Sequence, residues 1–90
     1  MKVVNVKNSV QGSYQYIGRG SKWGNPFIIP RDGNRNQVCL KYRDYLLSNQ
    51  KLLDALPELV EDGRDLGCYC APQLCHGNIL LLELRKRGMI

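Results

Sequence analysis

Residues 65–84 read D-L-G-C-Y-C-A-P-Q-L-C-H-G-N-I-L-L-L-E-L, from Asp65 to Leu84, and the remainder of the chain is organised around them. Leu66-Gly67-Cys68-Tyr69-Cys70 is a short apolar run of strand type. Ala71-Pro72-Gln73-Leu74 is a loop punctuated by Pro72. From about Cys75 the pattern turns helical, and Ile79, Leu80, Leu81, Leu82 and Leu84 supply an apolar face. Three of the four cysteines and the single histidine fall within nine residues of this stretch. A strand that ends in a tight loop and enters a helix is where open α/β sheets place their ligand sites. The unpaired N–H groups of the helix's first turn point into that crevice and favour an anion.

Working outward, Lys2–Val6 is rich in β-branched residues and reads as a first strand. Asn8–Ser13 is a polar turn, and Tyr14–Gly18 reads as a second strand, so that the two are expected to form a hairpin with a long loop. Arg19-Gly20-Ser21-Lys22-Trp23-Gly24-Asn25-Pro26-Phe27 is a loop by composition, and Phe27-Ile28-Ile29 leaves room for a brief strand. Asp32-Gly33-Asn34 is a turn suited to cap a helix over Gln37–Leu47, with Val38, Tyr42, Tyr45 and Leu46 on one stripe and Cys39 off it as an ordinary packing residue. Ser48-Asn49 closes that helix or caps the next, over Lys51–Val60, where Pro57 predicts a break or kink. The last helix should end near Arg85-Lys86-Arg87, which suit the negative end of its dipole, with Gly88 as the stop. The expected fold class is α/β: one domain over residues 1–90, a sheet of three or more strands flanked by about three helices, ending in strand, Cys-rich loop and helix.

Ninety residues leave no room for a second core, and such a chain buries only about 60–65% of its unfolded surface. Partner binding or self-association as a homo-oligomer would add stability. No stretch approaches the roughly 18 apolar residues of a membrane span, so no membrane partner is expected. Met1–Lys7 is too short and polar for a signal peptide, which points to the cytoplasm and to reduced cysteines. Net charge is +5, and it is concentrated: residues 1–35 hold six basic side chains against Asp32 alone, whereas residues 36–90 hold seven of each sign. An acidic partner such as a nucleotide or nucleic acid fits that asymmetry.

The pattern Y-I-G-R-x-S-K-W-G-N-P-F over Tyr16–Phe27, then Tyr42, Tyr45 and Leu46 as Y-x-x-Y-L, then L-x-C-Y-C-x-P-x-x-C-H-G-N-I-L over Leu66–Leu80, resembles a small uncharacterised family found in bacteriophages and bacteria, domain-of-unknown-function family 4326. The resemblance covers nearly the whole chain. It implies a phage or bacterial protein working in the cytoplasm of the host cell, and it implies no particular activity.

Three kinds of chemistry are open to these residues. Cys75 at a helix N-terminus has its thiolate stabilised by the dipole, and His76 beside it adds to the effect, which makes Cys75 and His76 the candidate catalytic pair. Sequence neighbours diverge, however, and a phosphatase loop of Cys-x5-Arg type would need an arginine where Leu81 stands. Cys68, Cys70, Cys75 and His76 number four soft ligands, but their spacing departs from the usual zinc knuckle, so that no metal or other cofactor is the leading expectation and zinc is a minor one. The third is an anion site. Arg19 and Lys22 on the glycine loop suit phosphate, Trp23, Tyr16 or Tyr69 suits base stacking, and Asn25, Cys70, Gly77 and Asn78 complete the candidate ligand set. Gly77 lets a ligand approach the backbone, whereas Trp23 and Phe27 are equally suited to burial.

The leading expectation is therefore a small phage-type domain that binds a nucleotide-like or nucleic-acid phosphate between the Arg19–Phe27 loop and the Cys75–Asn78 helix start, and acts on it through Cys75 or His76. The alternative is a non-catalytic module, zinc-stabilised or not, that binds a host protein or DNA.

Overall fold

The computed structural model describes residues 1–90. Three short strands, β1 (Val3–Asn5), β2 (Tyr14–Tyr16) and β3 (Asp65–Cys68), and three α-helices, α1 (Arg35–Leu47), α2 (Gln50–Asp62) and α3 (His76–Lys86), follow in the order β1, β2, α1, α2, β3, α3. This is the expected small α/β architecture, but the sheet is not built from a hairpin. Its order is β1-β3-β2, and both pairings are parallel. Val3 faces Leu66 and Asn5 faces Cys68 on one side, while Tyr14 faces Asp65 and Tyr16 faces Gly67 on the other.

The correction has a physical reason. β3 is the most continuously apolar of the three strands, with Leu66 and Cys68 almost wholly buried. A strand buried on both faces belongs in the middle of a parallel sheet. The polar Asn8–Ser13 segment carries the chain from the end of β1 to the start of β2, leaving a slot between them that β3 fills after α1 and α2. Phe27–Ile29 forms no strand.

The helices begin where side chains supply the missing acceptors. Asn34 and Gln37 form a reciprocal capping box at α1, and Asn49 caps α2. α2 runs unbroken through Pro57, because its buried face (Leu52, Ala55, Leu56 and Leu59) is seated on the core. Gly63 ends it in the left-handed region at φ 74°. β3 is shorter than its apolar run: the chain bends at Tyr69 and Cys70, and that bend begins the loop into α3.

The core joins Tyr42 and Leu46 of α1, Leu56 and Leu59 of α2, Leu66 of β3 and Leu80 and Leu84 of α3, all essentially sealed from solvent. α3 packs on α1 and against β3. Ile17, just past β2, is also sealed. No helix is long and apolar enough to cross a membrane.

Candidate functional site

The C-terminal ends of β2 and β3 open onto a cleft of about 310 Å³, near the lower bound of ligand pockets. It is lined by Tyr16, Gly18, Arg19, Asn25, Phe27 and Ile29 of the segment after and including the end of β2, by Tyr69, Cys70 and Leu74 of the Cys-rich loop, and by Arg35, Val38 and Cys39 of α1, with the buried Cys68, Cys75 and His76 as its floor. The glycine loop and the Cys-rich loop therefore meet, as parallel strands ending at one edge require.

Each loop is held by side chains committed to backbone. Asn5, at the end of β1, donates from Nδ2 to the carbonyls of Tyr69 (3.3 Å) and Ala71 (3.0 Å), pinning the Cys-rich loop. Arg35 donates from Nη1 to the Leu74 carbonyl at 3.1 Å, tying the start of α1 to the same loop. Asn25 donates to the Val38 carbonyl at 3.2 Å and accepts from the Phe27 N–H at 3.0 Å. Its amide thus holds the turn while lining the cleft.

The floor carries the chemistry. Cys75 is the N-cap of α3: its Sγ accepts from the Gly77 N–H at 3.3 Å, and Asn78 Oδ1 accepts from the Cys75 N–H at 3.0 Å. Asn78 is therefore half of a capping box. Cys68 and Cys75 lie with their sulfurs 3.2 Å apart. The hydrogen bond from Cys75 lowers the Cys68 pKa despite burial, helped by the N–H groups of Cys70 and Ala71. The same bond, with burial, raises that of Cys75. Either sulfur can donate to the other, so the two thiols titrate as one coupled pair that shares a proton. Burial likewise raises the Cys39 thiol.

His76 is buried, and its Nε2 lies 2.6 Å from the Ile17 carbonyl. A carbonyl only accepts, so Nε2 carries the proton and Nδ1 is the acceptor of a neutral ring. Burial lowers its pKa, which keeps it neutral. With Nε2 committed to Ile17, His76 serves neither as a base through that nitrogen nor as a metal ligand through it.

Of the residues singled out from sequence, Arg19, Asn25, Cys70, Cys75 and His76 line the cleft, while Lys22, Trp23, Gly77 and Asn78 do not. Lys22 pairs with Glu58 at 2.7 Å on an exposed surface. Trp23 is in the core, and its carbonyl accepts from the buried Tyr42 hydroxyl at 2.8 Å. Gly77 is a packing residue: a Cβ there would lie 2.8 Å from Ile17 Cδ1 and 2.9 Å from Val3 Cγ2. Sequence reasoning missed Asn5, Arg35 and Cys39. Cys39 falls one residue after Val38 on the helical wheel, and both are buried, so the buried face of α1 is wider than the stripe suggested.

Over residues 4–86 the sequence matches the family described as Domain of unknown function (DUF4326). The chain belongs to this family. A relative from Acanthamoeba polyphaga mimivirus, an uncharacterized protein, is 34% identical over 95 residues, covering 86% of this chain and 71% of that one. No solved structure matches significantly. A viral protein is thus among the relatives of this chain. Of the three stretches that carry the sequence resemblance, Tyr16–Phe27 and Leu66–Leu80 supply most of the cleft lining, whereas Tyr42 and Leu46 of the third lie in the buried core.

Proposed function

We propose that this DUF4326 domain binds a nucleotide-like ligand, either a free nucleotide or an exposed nucleotide of a nucleic acid, in the cleft between the Arg19–Phe27 loop and the start of α3. One observation carries the reading. Of nine large hydrophobic side chains left exposed, four (Tyr16, Ile29, Tyr69 and Leu74) ring this one opening, and Arg19 and Arg35 stand among them. Exposed apolar groups scattered singly mean little, but a ring around a concave site marks a binding surface. Tyr69 is 59% exposed and meets Tyr16 edge-on at 6.4 Å, which gathers two aromatic rings at the cleft mouth, where a base can stack. Arg19 makes no ion pair, and its fork suits a phosphate. The four free cysteines favour a reducing compartment, consistent with cytoplasm.

The test is a thermal-shift screen of nucleosides and nucleotides. A ligand at one hundred times its Kd should add about 2.7 kcal/mol of apparent stability. Arg19→Ala should weaken a phosphate-bearing hit roughly tenfold to a hundredfold, the worth of a charge-assisted hydrogen bond. It should leave a nucleoside hit, and the unliganded midpoint, unmoved. If no nucleotide shifts the midpoint, or Arg19→Ala binds as the native chain does, the reading fails.

A further inference from the structure

The three cysteines on the floor and wall of the cleft do more than fill space. The Sγ atoms of Cys68, Cys70 and Cys75 all lie within 4.8 Å of one another. Two of these residues are buried, and Cys70 is half-buried, packed against the core on one side and lining the cleft on the other. We propose that Cys68, Cys70 and Cys75 form a three-sulfur site for a soft divalent ion of the zinc class, with the fourth coordination position open to the cleft.

The geometry is close to what such an ion needs. Zinc–thiolate bonds of about 2.3 Å in a tetrahedral arrangement place sulfurs about 3.8 Å apart. The nearest pair here stands at 3.2 Å and no pair exceeds 4.8 Å, so adjustments of under about 1 Å complete the set. The spacing C-x-C-x4-C looks wrong on paper because it assumes one continuous strand and a loop leading away. In the fold the chain bends at Tyr69–Cys70, and the loop returns Cys75 to the end of β3.

Outer-shell support is also present. Cys75 Sγ receives the N–H of Gly77 at 3.3 Å. Backbone donors of this kind orient and stabilise coordinating sulfur. Asn5 fixes the loop that carries Cys70. The ion would displace the thiol protons as it binds.

The fourth ligand is not His76. Its Nε2 is held by the Ile17 carbonyl, and His76 is outside the sulfur cluster. Closed structural zinc sites use four protein ligands, whereas sites that act on a ligand keep one position free. With three sulfurs on the floor and the cleft above, this site is of the second kind. It stands independently of the nucleotide reading, since it needs only the three sulfurs.

The experiment uses the full chain, reduced and metal-free, titrated with Co²⁺ while thiolate-to-metal charge-transfer absorption and the visible bands of tetrahedral cobalt are recorded. Saturation at one ion per chain, with zinc displacing the cobalt, is the expected result. Cys70→Ser should weaken binding by more than the roughly 10–100-fold that loss of an outer-shell partner costs. That variant is chosen because Cys70 is only half-buried, packed against the core cluster and not within it, so its circular dichroism should match the native chain. Added azide should shift the visible bands, reporting the open position. Absence of charge-transfer absorption, or unchanged affinity in Cys70→Ser, overturns the site; bands that azide leaves unmoved overturn the open fourth position. None of these readouts depends on a nucleotide.

Discussion

His76→Ala is expected to lower the free energy of unfolding by about 3–4 kcal/mol. Two losses combine. The Ile17 carbonyl, on a residue with no solvent exposure, loses its donor at 2.6 Å. Leaving such an acceptor unpaired costs about 1–3 kcal/mol. The imidazole also packs edge-on against Tyr42, with centroids 5.1 Å apart, and deleting a buried ring leaves a cavity that costs roughly 2 kcal/mol more. For a chain of this size the melting midpoint should fall by at least about 12 °C. His76→Gln restores an N–H donor of comparable reach and should recover part of the loss. Thermal or urea denaturation of both variants decides the matter. Equal midpoints for native, alanine and glutamine forms would show that the His76–Ile17 bond does not hold α3 to the segment after β2.

The second large effect is expected at Gly77. Adding a valine side chain puts a Cβ 2.8 Å from Ile17 Cδ1 and 2.9 Å from Val3 Cγ2, with two further methyl groups to place. Ile17 is sealed in the core and Val3 is short and branched, so neither swings aside. Overpacking of this kind costs about 3 kcal/mol. Gly77→Ala should cost less, because the helix propensity gained, up to about 1 kcal/mol, offsets part of the clash. The expected order of denaturation midpoints is native, then alanine, then valine. Were Gly77 kept small for a ligand's approach, valine would abolish binding and leave the midpoint where it was, and that result would reject the packing role.

These two residues also show where sequence reading stops. His76 and Gly77 sit beside Cys75 in a motif that reads as chemistry, and both are committed to holding the helix start onto β1 and the segment after β2. Their partners, Ile17 and Val3, are roughly sixty and seventy-five residues away in the chain, and no local pattern announces such a contact. Helix α1 was legible because its signals are local: the Asp32–Asn34 turn that caps it lies within one turn of its start, and the Val38, Tyr42 and Leu46 stripe lies within three. The pairing of β1 with β2 was misjudged for the complementary reason. Two strands with a polar connection resemble a hairpin until the third strand, buried on both faces, claims the place between them. Pro57 warned of a break in α2 that burial of its apolar face overrides.

The amino-acid order alone settled that the thiols and the imidazole share one strand–loop–helix corner, that a cationic glycine loop precedes it, and which family the chain resembles, because each of these is a matter of residues close together in sequence. Only the tertiary structure decided that both loops open at the same sheet edge, that Arg35 and Cys39 join them while Trp23 is withdrawn into the core, and that three sulfurs gather without the histidine. Those outcomes depend on parallel pairings across some fifty to sixty residues of chain, where backbone direction, not composition, determines which side chains meet.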